Sequence, residues 1–76
     1  MINIPPPDLT PEAKARWQQI PGEIREEILE SVFCGSCGGS VPMLLERGRM
    51  KGEFLVLEGI CRNCGKRVVR SIEPEN

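Results

Sequence analysis

Apolar residues in the first third of the chain recur at helical spacing. Ala13, Trp17 and Ile20 are four and three positions apart and fall on one face of a helix. Thr10-Pro11-Glu12 supplies its start: a hydroxyl to cap free amides, a proline where no N–H is needed, and an acid in the first turn. Pro21-Gly22 ends that helix, and Pro21 also opens a second one. There Ile24, Ile28 and Val32 recur every four residues, with Glu23, Glu26, Glu27 and Glu30 between them. The period then shortens. Val41, Met43 and Leu45 alternate as in a strand, with Pro42 suited to a sheet edge. The basic stretch from Arg47 to Gly52, with Gly48 and Gly52 in it, predicts a hairpin tip. Glu53 to Ile60 returns as a strand that is apolar on both faces at Phe54, Leu55, Val56 and Leu57, and so needs cover from a neighbouring layer. Arg67 to Ile72 predicts a third short strand. Residues 1–9 hold three consecutive prolines and favour extended geometry outside the core.

With 76 residues, 39% hydrophobic, one Trp, two Phe and no Tyr, the chain has material for one small core. Domains of this size usually need a staple, and the four cysteines are the candidate. All four lie in two copies of one pattern, Cys34-Gly-Ser-Cys37-Gly38 and Cys61-Arg-Asn-Cys64-Gly65, with 23 residues between Cys37 and Cys61. Each C-x-x-C-G forms a tight turn that points two sulfurs inward, and the glycine accepts the positive φ that closes it. Four thiolates are the ligand set of a closed tetrahedral site for one Zn²⁺ per chain. Such a site has no open coordination position, so it holds structure and does no chemistry. Structural zinc in finger peptides contributes roughly 10–16 kcal/mol of apparent binding energy coupled to folding. An Fe(Cys)₄ electron carrier uses a similar set; the scarcity of aromatics and the cations Arg62, Lys66 and Arg67 beside the second pair weigh against it. A thiol–disulfide pair would open a helix, whereas Gly38-Gly39 and Pro42 follow Cys37.

The paired C-x-x-C-G spacing and the strand order resemble the zinc ribbon, a three-stranded antiparallel sheet clamped at one end by two cysteine knuckles. The resemblance covers residues 33–73 and implies Zn²⁺ held by Cys34, Cys37, Cys61 and Cys64. Ribbons serve in transcription, translation, RNA modification and protein docking, so the fold alone selects no function. The expected architecture is a small metal-stabilised α+β domain: an extended segment 1–9, a helical arm 10–32 packed on the ribbon through Trp17, Ile24 and Ile28, the ribbon 33–73, and a tail 74–76.

The net charge of −1 is unevenly distributed: residues 1–30 carry three cations against six acids, residues 31–73 seven against four, and Glu75 adds one acid. Zinc with four thiolates adds −2 to the second half, so part of the basic excess is counter-charge. Arg47, Arg49, Lys51, Lys66, Arg67 and Arg70 remain as candidate contacts for a partner or for nucleic acid. Dispersed cations, an acidic arm and a single aromatic in the sheet, Phe54, predict weak nucleic-acid binding and favour a protein partner for an adaptor. There is no His, no nucleophile motif and no phosphate-binding glycine loop, so no enzyme and no small-molecule substrate is expected. The N-terminus lacks the basic and apolar regions of a signal peptide, and the run Phe54–Leu57 is too short to cross a bilayer. The expectation is a cytoplasmic monomer, in a compartment where such cysteines bind metal rather than each other.

Overall fold

Thr10 Oγ1 accepts a 3.2 Å hydrogen bond from the Ala13 N–H, capping helix α1 (Pro11–Gln19) at the residue its side chain nominates. Pro21 is extended, with φ −55° and ψ 144°, and helix α2 (Gly22–Glu30) starts directly from it. The computed structural model describes residues 6–74. Around these helices lie β1 (Asp8–Leu9), β2 (Val32–Cys34), β3 (Gly39–Val41), β4 (Met43–Lys51), β5 (Phe54–Cys61) and β6 (Arg67–Ile72). The result is a small α+β domain with two sheets: a four-stranded one in the order β1-β4-β5-β6, and the separate hairpin β2-β3.

Several sequence expectations change here. The sheet is not a bare three-stranded ribbon. The antiparallel meander β4-β5-β6 is present, but β1 joins its edge parallel to β4, with Asp8 beside Arg47 and Leu9 beside Gly48. Asp8 and Leu9 therefore belong to the folded layer, while residues 1–5 lie outside the described residues. Gly48 leaves room for the Leu9 side chain, since a Cβ there would sit 2.5 Å from Leu9 Cδ2 and force that side chain to turn. Val32 does not extend α2. The chain leaves the helix at Ser31, whose carbonyl accepts from Arg70 Nη1 at 3.4 Å, and Val32 starts the strand that delivers Cys34. Pro42 sits between β3 and β4 and, lacking an N–H, separates them.

The hairpin tip is also shorter than the basic stretch suggested. β4 continues through Lys51, and only Gly52 and Glu53 turn, with Gly52 at φ +60°. Arg47, Arg49 and Lys51 are therefore strand residues. Their direction is set by a β-bulge: Leu45 pairs with Gly59, Arg47 pairs with Glu58, and Glu46 is the extra residue between them. Side chains alternate along a strand, so without the bulge, with Glu46 paired like its neighbours, the residues 43, 45, 47, 49 and 51 would share one face. With it, Met43 and Leu45 face the core, the cations turn away, and Gly48 and Met50 take the inner face.

The core lies between the helices and one face of the large sheet. Ala13, Trp17 and Ile20 from α1 and its C-cap pack with Met43, Leu45, Leu55, Leu57 and Val68, and Val32, Cys34, Val41 and Cys61 extend the cluster to the cysteine end. Leu55 and Leu57 are fully buried. α2 is seated more shallowly: it has no buried residue, Ile28 and Leu29 only lean on the core, and Ile24 is 44% exposed. Ile24 thus does not cover the sheet. Arg25 instead ties the two helices, its guanidinium 5.9 Å from the Trp17 ring centre.

Candidate metal centre

Each cysteine pair sits where a strand ends. Cys34 closes β2 and Cys61 closes β5; after each, the chain makes a turn in which the residue after the second cysteine returns an N–H to the first. Gly38 N donates to the Cys34 carbonyl at 2.8 Å, and Gly65 N to the Cys61 carbonyl at 2.9 Å. Gly38 and Gly65 have φ of +76° and +77°, a region that side chains resist, which explains the glycine in both motifs. Cys61 N closes the second turn by donating to Lys66 O at 2.8 Å, and Arg62 N ties it to the link between β3 and β4 by donating to Pro42 O at 2.9 Å.

These turns bring the four sulfurs of Cys34, Cys37, Cys61 and Cys64 within 4.8 Å of one another. Two of the separations, 3.6 Å for Cys34–Cys64 and 3.8 Å for Cys37–Cys61, run between the knuckles. A metal at ~2.3 Å from four tetrahedral sulfurs requires S···S edges of about 3.8 Å. A disulfide would need about 2.05 Å. The spacing therefore fits a chelated ion and not two disulfides, and all four thiols are free. Cys34 and Cys61 are buried while Cys37 and Cys64 are exposed, so the cluster has an inner and an outer pair.

Thiol acidity follows the same geometry. For Cys61, burial opposes ionisation, but the N–H groups of Cys64 and Asn63, 3.4 and 3.3 Å from its sulfur, outweigh it and bring the pKa down to about 7. Cys37 is pushed up to about 12, chiefly by its hydrogen bond with Cys64, then by Cys61 and burial. At Cys64 the Lys66 amide favours the thiolate, yet burial and the Cys34 contact win and the net shift is upward. Four sulfurs this close cannot all ionise without a cation among them. A divalent ion would supply that charge, with Cys34, Cys37, Cys61 and Cys64 as its ligands. The amides of Asn63 and Cys64 would orient and stabilise the Cys61 sulfur.

The six cations nominated from sequence separate into two groups. Arg47, Arg49 and Lys51 on β4 and Arg67 on β6 share the face of the sheet turned away from the helices, because they stand opposite Glu58, Val56, Phe54 and Ile60 of β5. Lys66 lies in the second knuckle, and Arg70 is opposite Leu57 and reaches Ser31, a structural tie. The cations are thus less dispersed than their positions in sequence suggested. The device that gathers them, the bulge at Glu46, was not foreseen. Its signal is the polar doublet Glu46-Arg47, which breaks the alternation that Met43, Leu44 and Leu45 set up.

No protein-family model matches the chain, and comparison with curated proteins and with solved structures gives no significant match.

Proposed function

We propose that this protein is a non-enzymatic, zinc-stabilised adaptor of the ribbon type, in which the metal closes the fold and the surfaces built around it dock macromolecules. The observation that carries the reading is the convergence of four sulfurs within 4.8 Å from two separate turns. Zinc is favoured over iron because a redox-inert ion suits a structural clamp and cations flank the second knuckle. All four cysteines belong to the cluster and the chain has no His, which leaves little to build a catalytic set from. Free thiols at metal-binding distance suit a reducing cytoplasm, and among the described residues no helix is long and apolar enough to cross a membrane.

A protein partner is favoured on the helical side. α2 exposes Glu23, Glu26, Glu27 and Glu30 together with Ile24, and like charges four apart on a helix are relieved by a basic partner. Beside it opens a cleft of about 420 Å³ between Trp17, Leu29, Met43 and Leu44, bordered by Glu26 and Glu30. The test is co-purification from native cells with the wild type and with Glu23, Glu26, Glu27 and Glu30 changed to Gln, at equal zinc content. A protein retained by the wild type and lost by the variant supports the adaptor. Identical recovered sets from both proteins would contradict docking through α2.

A further inference from the structure

The side of the large sheet that carries no helix is chemically unlike the rest of the molecule. Arg47, Arg49 and Lys51 run along β4 at two-residue intervals, roughly 6.8 Å apart. Arg67 adds a fourth cation across the sheet. Three acids lie on or beside the face: Asp8 at its edge, Glu46 exposed at the bulge next to Arg47, and Glu58 at its centre, where it is only 17% exposed and 3.9 Å from Arg49 Nε. Between the charges lie apolar side chains left in solvent, Phe54 at 44% and Val69 at 49% exposure. The acidic side chains of α2 are on the opposite, helical side of the chain. A protein with a net charge of −1 has therefore gathered four cations onto one face of the sheet that no described helix covers.

We infer that this face is a binding site for single-stranded RNA. The occupant must be anionic, since the face is cationic, and extended, since the cations form a row. Duplex is disfavoured by shape, because a groove admits a helix or a two-stranded ribbon and not the flat of a four-stranded sheet. A single strand can lay its phosphates along Arg47, Arg49 and Lys51 and turn its bases across β5 and β6. Phe54, directly opposite Lys51, offers a ring for stacking, and the guanidinium planes of the arginines stack on bases as well. Ribose is distinguished by the acceptors on this otherwise donor-rich face: the Glu58 carboxylate and the Ser71 hydroxyl, opposite Val56, can take the proton of a 2′-OH. An acidic polypeptide would match the charge but has no use for an exposed ring beside the cation row.

The inference goes beyond the adaptor reading and adds a second docking surface to it. The test is fluorescence anisotropy of zinc-loaded full chain with roughly 15-nucleotide oligouridylate, oligo(dT), duplex DNA and polyglutamate of equal charge. The expected result is a Kd on the order of 1–10 μM for oligouridylate at about 50 mM salt, weakening with a log–log slope of about −2 for three phosphate contacts. Changing Arg47, Arg49 and Lys51 together to Gln should cost at least about tenfold and flatten that slope. Phe54→Ala should weaken binding roughly 5- to 100-fold. These side chains are solvent-facing, and zinc content and amide dispersion verify that each variant is folded. No oligouridylate binding at low salt, or binding indifferent to both variants, would overturn the site. Equal affinity for oligo(dT) or duplex would overturn the RNA assignment, and equal competition by polyglutamate would reassign the face to an acidic protein. Any of these can occur with zinc binding and α2 docking intact, so the two readings fail separately.

Discussion

Leu45 and Arg47 stand two residues apart on one strand, yet they face opposite sides of the sheet. Leu45 is opposite Gly59 in the core, Arg47 is opposite Glu58 outside it, and Glu46 is the residue that shifts the alternation. Leaving Glu46 unpaired, instead of opposite Glu58, thus decides whether three cations point into the core or out of it.

Deletion of Glu46 should therefore be tolerated. Without it the pairs Leu45–Gly59 and Arg47–Glu58 become consecutive rungs of a regular ladder, so Leu45 still faces the core and Arg47, Arg49 and Lys51 still face away from it. We expect both the deletion and Glu46→Ala to keep native amide dispersion and zinc content. Loss of dispersion in the deletion, with Glu46→Ala folded, would contradict the assignment of Glu46 as the unpaired residue.

The bulge also rests on Gly59. A Cβ at this position would collide with the backbone carbonyl of Leu44, which cannot rotate away as a side chain could. Gly59→Ala should destabilise the metal-loaded protein by about 1–3 kcal/mol or more, read from its urea midpoint. A shift within about 0.5 kcal/mol, as at an unconstrained surface site, would show that the strand can relax.

Much of this arrangement was legible in the residues, and the failures have identifiable causes. The helix start at Thr10, the third strand from Arg67 to Ile72 and the metal-binding character of the four cysteines follow from local chemistry that tertiary contacts do not override. Val32 misled because a four-residue recurrence after Ile24 and Ile28 continues numerically into a residue that β2 claims. Leu9 was hidden because its strand has only two residues, and its partner Gly48 lies 39 positions further along the chain. The glycines flanking the basic stretch suggested a wide tip, but Gly48 is there for close approach and only Gly52 turns the chain.

Helix α1 and helix α2 should differ in energetic weight. Trp17 is 7% exposed inside the core cluster, so Trp17→Ala is expected to cost about 3–5 kcal/mol. Ile24 is 44% exposed, and Ile24→Ala should stay within about 0.5 kcal/mol. Chemical denaturation of both variants at saturating zinc separates them. Equal losses would place α2 in the core after all.

Metal uptake should depend on pH in a defined direction. Cys37 and Cys64 hold their protons more tightly than an ordinary thiol, whereas Cys61, at about 7, is partly ionised at neutrality. Binding of Zn²⁺ at pH 7 must then displace at least the protons of Cys37 and Cys64, and affinity must fall as pH falls because protons compete for sulfur. Proton release in weakly buffered solution, measured with an indicator dye during zinc titration, gives the number directly. Release of fewer than about two protons per metal would contradict four-thiolate ligation.

The central claim is that the four clustered cysteines bind one metal ion and that the fold depends on it. The most direct measurement is metal content by native mass spectrometry, paired with amide NMR spectra before and after strong chelation. One Zn²⁺ per chain in the wild type, none retained by Cys61→Ser, and collapse of dispersion across residues 33–73 on chelation are the expected results. A metal-free chain with native dispersion would contradict the claim. An iron–thiolate absorption band would replace zinc by iron at the same four sulfurs.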